Sequence, residues 1–126
     1  MKTLLLIATL AACTHKPAET PAPKDTRTPY QIRRDAACKT LGPKITACAL
    51  ADIKAALAAG TVSKKVFDEA TAKETLDKNT NAAIESCEKI QTTFQLRVIE
   101  VCQEKETECE PMTTCLDHVN DPPAAK

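Results

Sequence analysis

Seven cysteines and two histidines are the residues of this 126-residue chain whose types could carry chemistry. Cys13 stands alone near the start, and Cys38, Cys48, Cys87, Cys102, Cys109 and Cys115 follow. Cys109, Cys115 and His118 come nearest to a ligand spacing. A structural zinc site, however, takes four closely spaced ligands. There is no Cys-x2-Cys pair, and the only other histidine, His15, sits far upstream. Redox catalysis would use a Cys-x-x-Cys with a lowered thiol pKa, which is missing. No haem-attachment motif and no nucleophile–base pair is present. The sequence therefore proposes no catalytic residue, no metal, no cofactor and no small-molecule substrate. Disulfide bonding remains for the six later cysteines, and that requires an oxidising compartment.

Six cysteines allow 15 pairings. Cys38 and Cys48 flank Gly42-Pro43 at similar distances, so a tight antiparallel corner there would bring them together. Cys102 and Cys115 flank the 105–110 segment in the same way, leaving Cys87 for Cys109. Cys87 and Cys102 on one continuous helix would stand about 22 Å apart and could not bond. A competing set joins Cys87 to Cys38 or Cys48 and leaves the rest to the C-terminal cysteines. A small Ala-rich core calls for at least one bridge between the N-terminal hairpin and the long third helix, which the competing set supplies.

The elements that must position these sulfurs read as helices. Thr28-Pro29 is a capping residue followed by proline at the first helical position. Tyr30 to Leu41 is expected as a short helix ended by Gly42-Pro43, because glycine suits a left-handed cap and the residue before proline avoids the α region. Lys44 to Ala59 is expected as the second arm of a hairpin, capped by Gly60. Ser63 opens a long third helix to Glu104, either a continuous rod or one kinked or broken near Lys78-Asn79-Thr80-Asn81, where Asn and Thr are poor interior residues. Val66, Ala70, Thr80, Ile84, Cys87, Phe94, Val98 and Cys102 fall near one face of it. Phe94 to Val98 alternates like a strand, but a lone strand has no partner, so helix is expected and 94–102 should be the best-buried stretch. Lys105 to Glu110 reads as a charged turn, and Pro111 opens a short helix to about Val119. The fold class is all-α, a small disulfide-stapled helical domain over residues 29–119.

The N-terminus explains the odd cysteine. Met1-Lys2 is a minimal positive region, Thr3 to Leu10 is a short apolar run, and small residues lead to Cys13, which is the layout of a secretory signal too short to span a bilayer. Leu10-Ala11-Ala12-Cys13 resembles a bacterial lipobox. The resemblance implies removal of residues 1–12 and lipidation of Cys13, with acyl chains such as palmitate anchoring the chain to the cell-envelope bilayer at about 0.8 kcal/mol per buried methylene. Thr14 follows where an Asp would favour the inner membrane, so by the same resemblance the outer membrane is favoured, with the domain facing periplasm or exterior. Residues 13–28 form a lipidated, Pro-rich flexible tether, and 120–126 a flexible tail. Cleavage removes Lys2 alone, so 17 basic residues become 16 against 17 acidic, a net charge of −1 that points away from nucleic acid. Tyr30, Phe67 and Phe94 are the only aromatics, so the core is short of bulk and needs staples.

Glu100, Glu104, Glu106, Glu108 and Glu110 form an acidic run around Lys105. Such a run is commonly a solvated face; the sharper reading is a patch, chiefly Glu104, Glu106, Glu108 and Glu110, that docks a cationic protein. The domain also resembles the LprI-type lysozyme-inhibitor family in scattered positions. These are Cys38 and Cys48 followed by Ala51-Asp52; Gln91, Phe94, Arg97 and Cys102; and Pro111-Met112 with Cys115-Leu116. It departs from that pattern at Thr46-Ala47, at Phe94 in place of Trp, in the Arg-to-Cys spacing and in two extra cysteines, so no inhibitory residue carries over. The anchor, the absence of catalytic groups and the acidic turn lead to a non-enzymatic binding module directed at an envelope or secreted protein, and the resemblance implies its inhibitor or immunity form, against a target such as a lysozyme. The alternative is a structural or assembly lipoprotein acting through helix–helix packing along the Val66–Val98 face.

Overall fold

A computed structural model describes residues 24–122. The lipobox, Cys13, most of the tether and the end of the tail lie outside the described residues. Within them the chain forms five α-helices and no strand: α1 (Pro29–Ala58), α2 (Lys64–Thr71), α3 (Lys73–Cys87), α4 (Thr93–Lys105) and α5 (Cys109–Leu116), closed by a 3₁₀ turn at Asp117–Asn120. The all-α, disulfide-stapled class expected from sequence is what folds.

Helix α1 begins as its residues dictate. The Thr28 hydroxyl accepts from the Gln31 amide, and the Gln31 side chain accepts from the Thr28 amide, a complete capping box ahead of Pro29. Its end is equally local. Gly60 is left-handed at φ 72°, while Gly60 N–H donates to Leu57 and Thr61 N–H to Ala56, the paired bonds of a Schellman cap.

The expected hairpin at Gly42-Pro43 does not form; α1 is one helix of 30 residues. Gly42 is not a cap. It is buried against α3, where a Cβ would lie 2.5 Å from Ile84 Cγ1 and 3.1 Å from the Thr80 carbonyl oxygen. Pro43 faces solvent. It has no N–H to offer the Lys39 carbonyl, one turn back on an exposed residue. Packing at Gly42 outweighs the local stop signal. Thr46 and Thr80 extend the same contact through a 2.7 Å hydroxyl–hydroxyl bond.

The long third helix is three helices. Of the two alternatives at 78–81 the regular helix is what forms, since Asn79 and Asn81 are exposed and cost only propensity. One break falls at Ala72, which is extended with ψ 138° and offers no side-chain cap. The other spans residues 88–92, where the Thr92–Gln95 capping box starts α4 afresh. Gln95 Oε1 accepts from the amides of Gln91 and Thr92, and the Tyr30 hydroxyl donates to the carbonyls of Ile90 and Thr92, so the turn's polar groups are met from α1 and α4. Val66 on α2 and Val98 on α4 consequently belong to different helices, and the single Val66–Val98 face does not exist.

The core is Leu41, Ile90, Leu96, Ile99 and Met112, with Cys38, Cys48, Cys87 and Cys102 among them. As expected, α4 is the best-buried segment: Leu96 is 1% exposed, Ile99 3% and Cys102 0%. The disulfides are Cys38–Cys87, Cys48–Cys109 and Cys102–Cys115. The 102–115 pair and the link from Cys87 to α1 are among the expected alternatives. The 38–48 bond is excluded, because ten residues along a continuous helix separate the two by about 15 Å. Cys109 then reaches Cys48, not Cys87. No helix among the described residues is long and apolar enough to cross a membrane.

Candidate functional site

The corner between α4 and α5 gathers the predicted acidic residues, but not as one patch. Glu100 is withdrawn from it: Arg33 on α1 donates to its carboxylate from Nε and Nη2, and Arg97 stands 3.9 Å away. Arg33's hydrogen bonds, opposed by partial burial, hold the Glu100 carboxyl below its usual value. Glu104 faces the α1 side, on the rim of a groove with Arg33, Thr40 and Lys44. Glu106, Glu108 and Glu110 lie together. They line a depression of about 500 Å³ with Pro111, Thr114, Cys115 and His118.

Chain geometry accounts for that trio. Glu106 caps the C-terminus of α4 in extended conformation and is half-buried. Glu108 is the extended residue before α5, and Glu110 sits in its first turn. Carboxylates there complement the positive end of the α5 dipole, so two of the three also stabilise the helix. Among the described residues, no cationic group lies within 4 Å of Glu104, Glu106, Glu108 or Glu110.

A second depression adjoins the acidic one and shares Cys115 and His118 as its wall. It holds about 260 Å³, and its surface comes from Phe94, Val98, Val101 and the Cys102–Cys115 disulfide, with Arg97 on the edge. The alternation in Phe94-Gln95-Leu96-Arg97-Val98 is thereby explained. Leu96 and Ile99 face the core, while Phe94, Val98 and Val101 are half-buried on the outer side. Spacing alone puts Phe94 and Val98 near one face with Cys102; the signal for a separate outer stripe is an apolar surplus on α4 beyond what one buried face requires.

The remaining sulfur chemistry resolves into bonds. Cys109 and Cys115 sit in separate disulfides, so neither supplies a thiolate, and His118 Nδ1 faces Asp121 at 2.6 Å. Among the described residues no three His, Cys, Asp or Glu side chains are placed to hold a metal ion. The corner presents a small apolar groove, a carboxylate rim and the Cys102–Cys115 disulfide in the groove wall.

The class defined by this geometry is a small all-α domain stapled by three disulfides. No protein-family model matches the chain, and neither a curated protein nor a solved structure matches it.

Proposed function

We propose that this chain is a lipid-anchored envelope protein whose helical domain is a non-enzymatic binding module, docking a cationic protein at the α4–α5 corner. The observation that carries the reading is the placement of Glu106, Glu108 and Glu110 on one rim, with no cationic group within 4 Å among the described residues, beside the Phe94–Val98–Val101 groove. Apolar contact at the centre with charge at the rim is the usual anatomy of a specific interface. The rim charges speed encounter with a partner of opposite sign. Strongly basic lysozyme-like enzymes fit that description, which makes inhibition or immunity the most concrete form of the module.

The lipobox-like Leu10-Ala11-Ala12-Cys13 supports attachment through Cys13, with the bilayer as the anchoring surface. Cys13→Ser should abolish palmitate labelling and move the protein from the membrane pellet to the soluble fraction; retention in the pellet defeats the anchor. For the module, the full chain is tested for protection of cell walls against a basic lysozyme and for capture of that enzyme at low and high salt. Glu106→Gln/Glu108→Gln/Glu110→Gln should weaken both by about tenfold or more, as expected for three rim charges. An unaltered triple variant, or no capture at low salt, refutes the docking site.

A further inference from the structure

A second groove lies on the opposite side of α4, unrelated to the acidic corner. It measures about 480 Å³. Leu41 and Ile45 of α1, Ile99 of α4 and Leu116 with Val119 at the C-terminus form its apolar walls, and Ile90 closes one side. Leu41, Ile90 and Ile99 are core residues at 7%, 9% and 3% exposure, so the floor of the groove is the hydrophobic core itself. Ile45, Leu116 and Val119 are only half-buried and would gain cover from an occupant.

The polar groups at the mouth are few and unequal. Gln95 Nε2 donates to Asn120 Oδ1 at 3.1 Å, so those two amides partly satisfy each other. Ser86 contributes a hydroxyl. Lys89 is the one ionisable residue lining the groove; no carboxylate lines it, and Lys89 pairs with none among the described residues. A cleft of several hundred Å³ that joins aliphatic walls to a few polar side chains and a single orienting charge is the usual form of a small-ligand site.

We infer that this groove binds an amphipathic monoanion, its alkyl tail lying on Leu41, Ile45, Ile99, Leu116 and Val119 and its anionic head at Lys89. The tail replaces water on half-exposed aliphatic side chains. The sign of the lysine selects the head group, and neutral or cationic amphiphiles of the same length lack that interaction. A free fatty acid and a membrane-derived lysophospholipid share this chemistry.

The test is fluorescence displacement on the full-length protein, with dansyl-aminoundecanoate as reporter. Laurate should displace it, and dodecyltrimethylammonium should compete far more weakly. Lys89→Glu should weaken laurate about tenfold, the scale of one reversed surface charge. Because Lys89 is exposed, its far-UV spectrum and melting curve should stay unchanged. Ser86→Trp, at an exposed position on the mouth, should block the reporter altogether. Competition by lauroyl-lysophosphatidylglycerol equal to that of laurate assigns the ligand to membrane lipid, and competition by laurate alone assigns it to free fatty acid; both support the site. Absence of reporter binding, equal competition by the cationic amphiphile, or unchanged laurate binding in Lys89→Glu overturns it.

Discussion

Replacing Gly42 by alanine separates two accounts of the Gly42-Pro43 pair. In an ordinary helix interior the change stabilises by about 1 kcal/mol, because glycine carries the larger conformational entropy. Here the new methyl would sit 2.5 Å from Ile84 Cγ1, 3.1 Å from Ile84 Cδ1 and 3.1 Å from the Thr80 oxygen. Cγ1 is an inner atom of a β-branched side chain and cannot swing aside without changing rotamer. Overpacking of this kind costs about 1–3 kcal/mol. Against the propensity gain, the net effect is a destabilisation of about 1 kcal/mol, or a melting point lower by about 4–8 °C for a domain of this size.

The sign of the coupling is more telling than the single change. Ile84→Ala removes both offending carbons, so in that background Gly42→Ala should become neutral or slightly stabilising, a coupling of about 1–2 kcal/mol. Urea unfolding at pH 7 with the disulfides intact, followed by helical circular dichroism, gives all four corners of the cycle. A Gly42→Ala variant that is more stable than the parent refutes close packing of α1 on α3. So does one destabilised equally with and without Ile84, which would mark Gly42 as a conformational cap.

Three further outcomes follow from the fold. Removing the Cys48–Cys109 bridge as a double alanine variant should cost about 4 kcal/mol and removing Cys102–Cys115 about 3, since the loops they close span 61 and 13 residues; urea midpoints in the reverse order would contradict the pairing. Glu100, held by Arg33 below its usual 4.5, contributes stability that is complete above that value and lost as pH falls through its lower folded value, so the unfolding midpoint should drop in acid and drop less in Glu100→Gln; parallel acid profiles would show the ion pair to be idle. Hydrogen exchange should be fast in α2 and the first half of α3 and slowest at 96–102, because no residue from 49 to 86 is buried; uniform protection would contradict a locally unstable arm.

What the sequence disclosed and what it hid divide along a physical line. Signals satisfied within a few residues were legible: the Thr28-Pro29 start, the Gly60 stop and the Ser63 cap all stand where their chemistry places them. The Thr92–Gln95 capping box was equally readable, yet the helical spacing that carries on from Ile84 and Cys87 to Phe94 and Val98 masked it. Gly42-Pro43 misled because its meaning depends on Ile84 and Thr80, some forty residues away. Ala72 gave no warning, since alanine is the strongest helix former and its side chain carries no stop signal. Arg33 was invisible as the partner of Glu100 for the same reason: only the α1–α4 crossing brings them together. The cysteine pairing was open until α1 proved continuous, after which Cys38 and Cys48 had to seek partners elsewhere.

The distribution of rigidity bears on which functional reading the fold can sustain. Two of the three disulfides, Cys102–Cys115 and Cys48–Cys109, terminate on α5, an eight-residue helix that could not stand alone. They fix α5 against α4 and α1 at once, and with it Glu108, Glu110 and the floor of the Phe94–Val98–Val101 groove. Preorganised side chains lose less freedom on association, so covalent restraint at this corner favours binding there. A protein assembled through its long helices would need its firmest packing along the α1–α2–α3 arm. That arm instead has no buried residue between Cys48 and Cys87, and its inner contacts are small or half-exposed. The staples stand at the base of the arm and under the corner, which is where a docking module needs its backbone held and where an assembly scaffold does not.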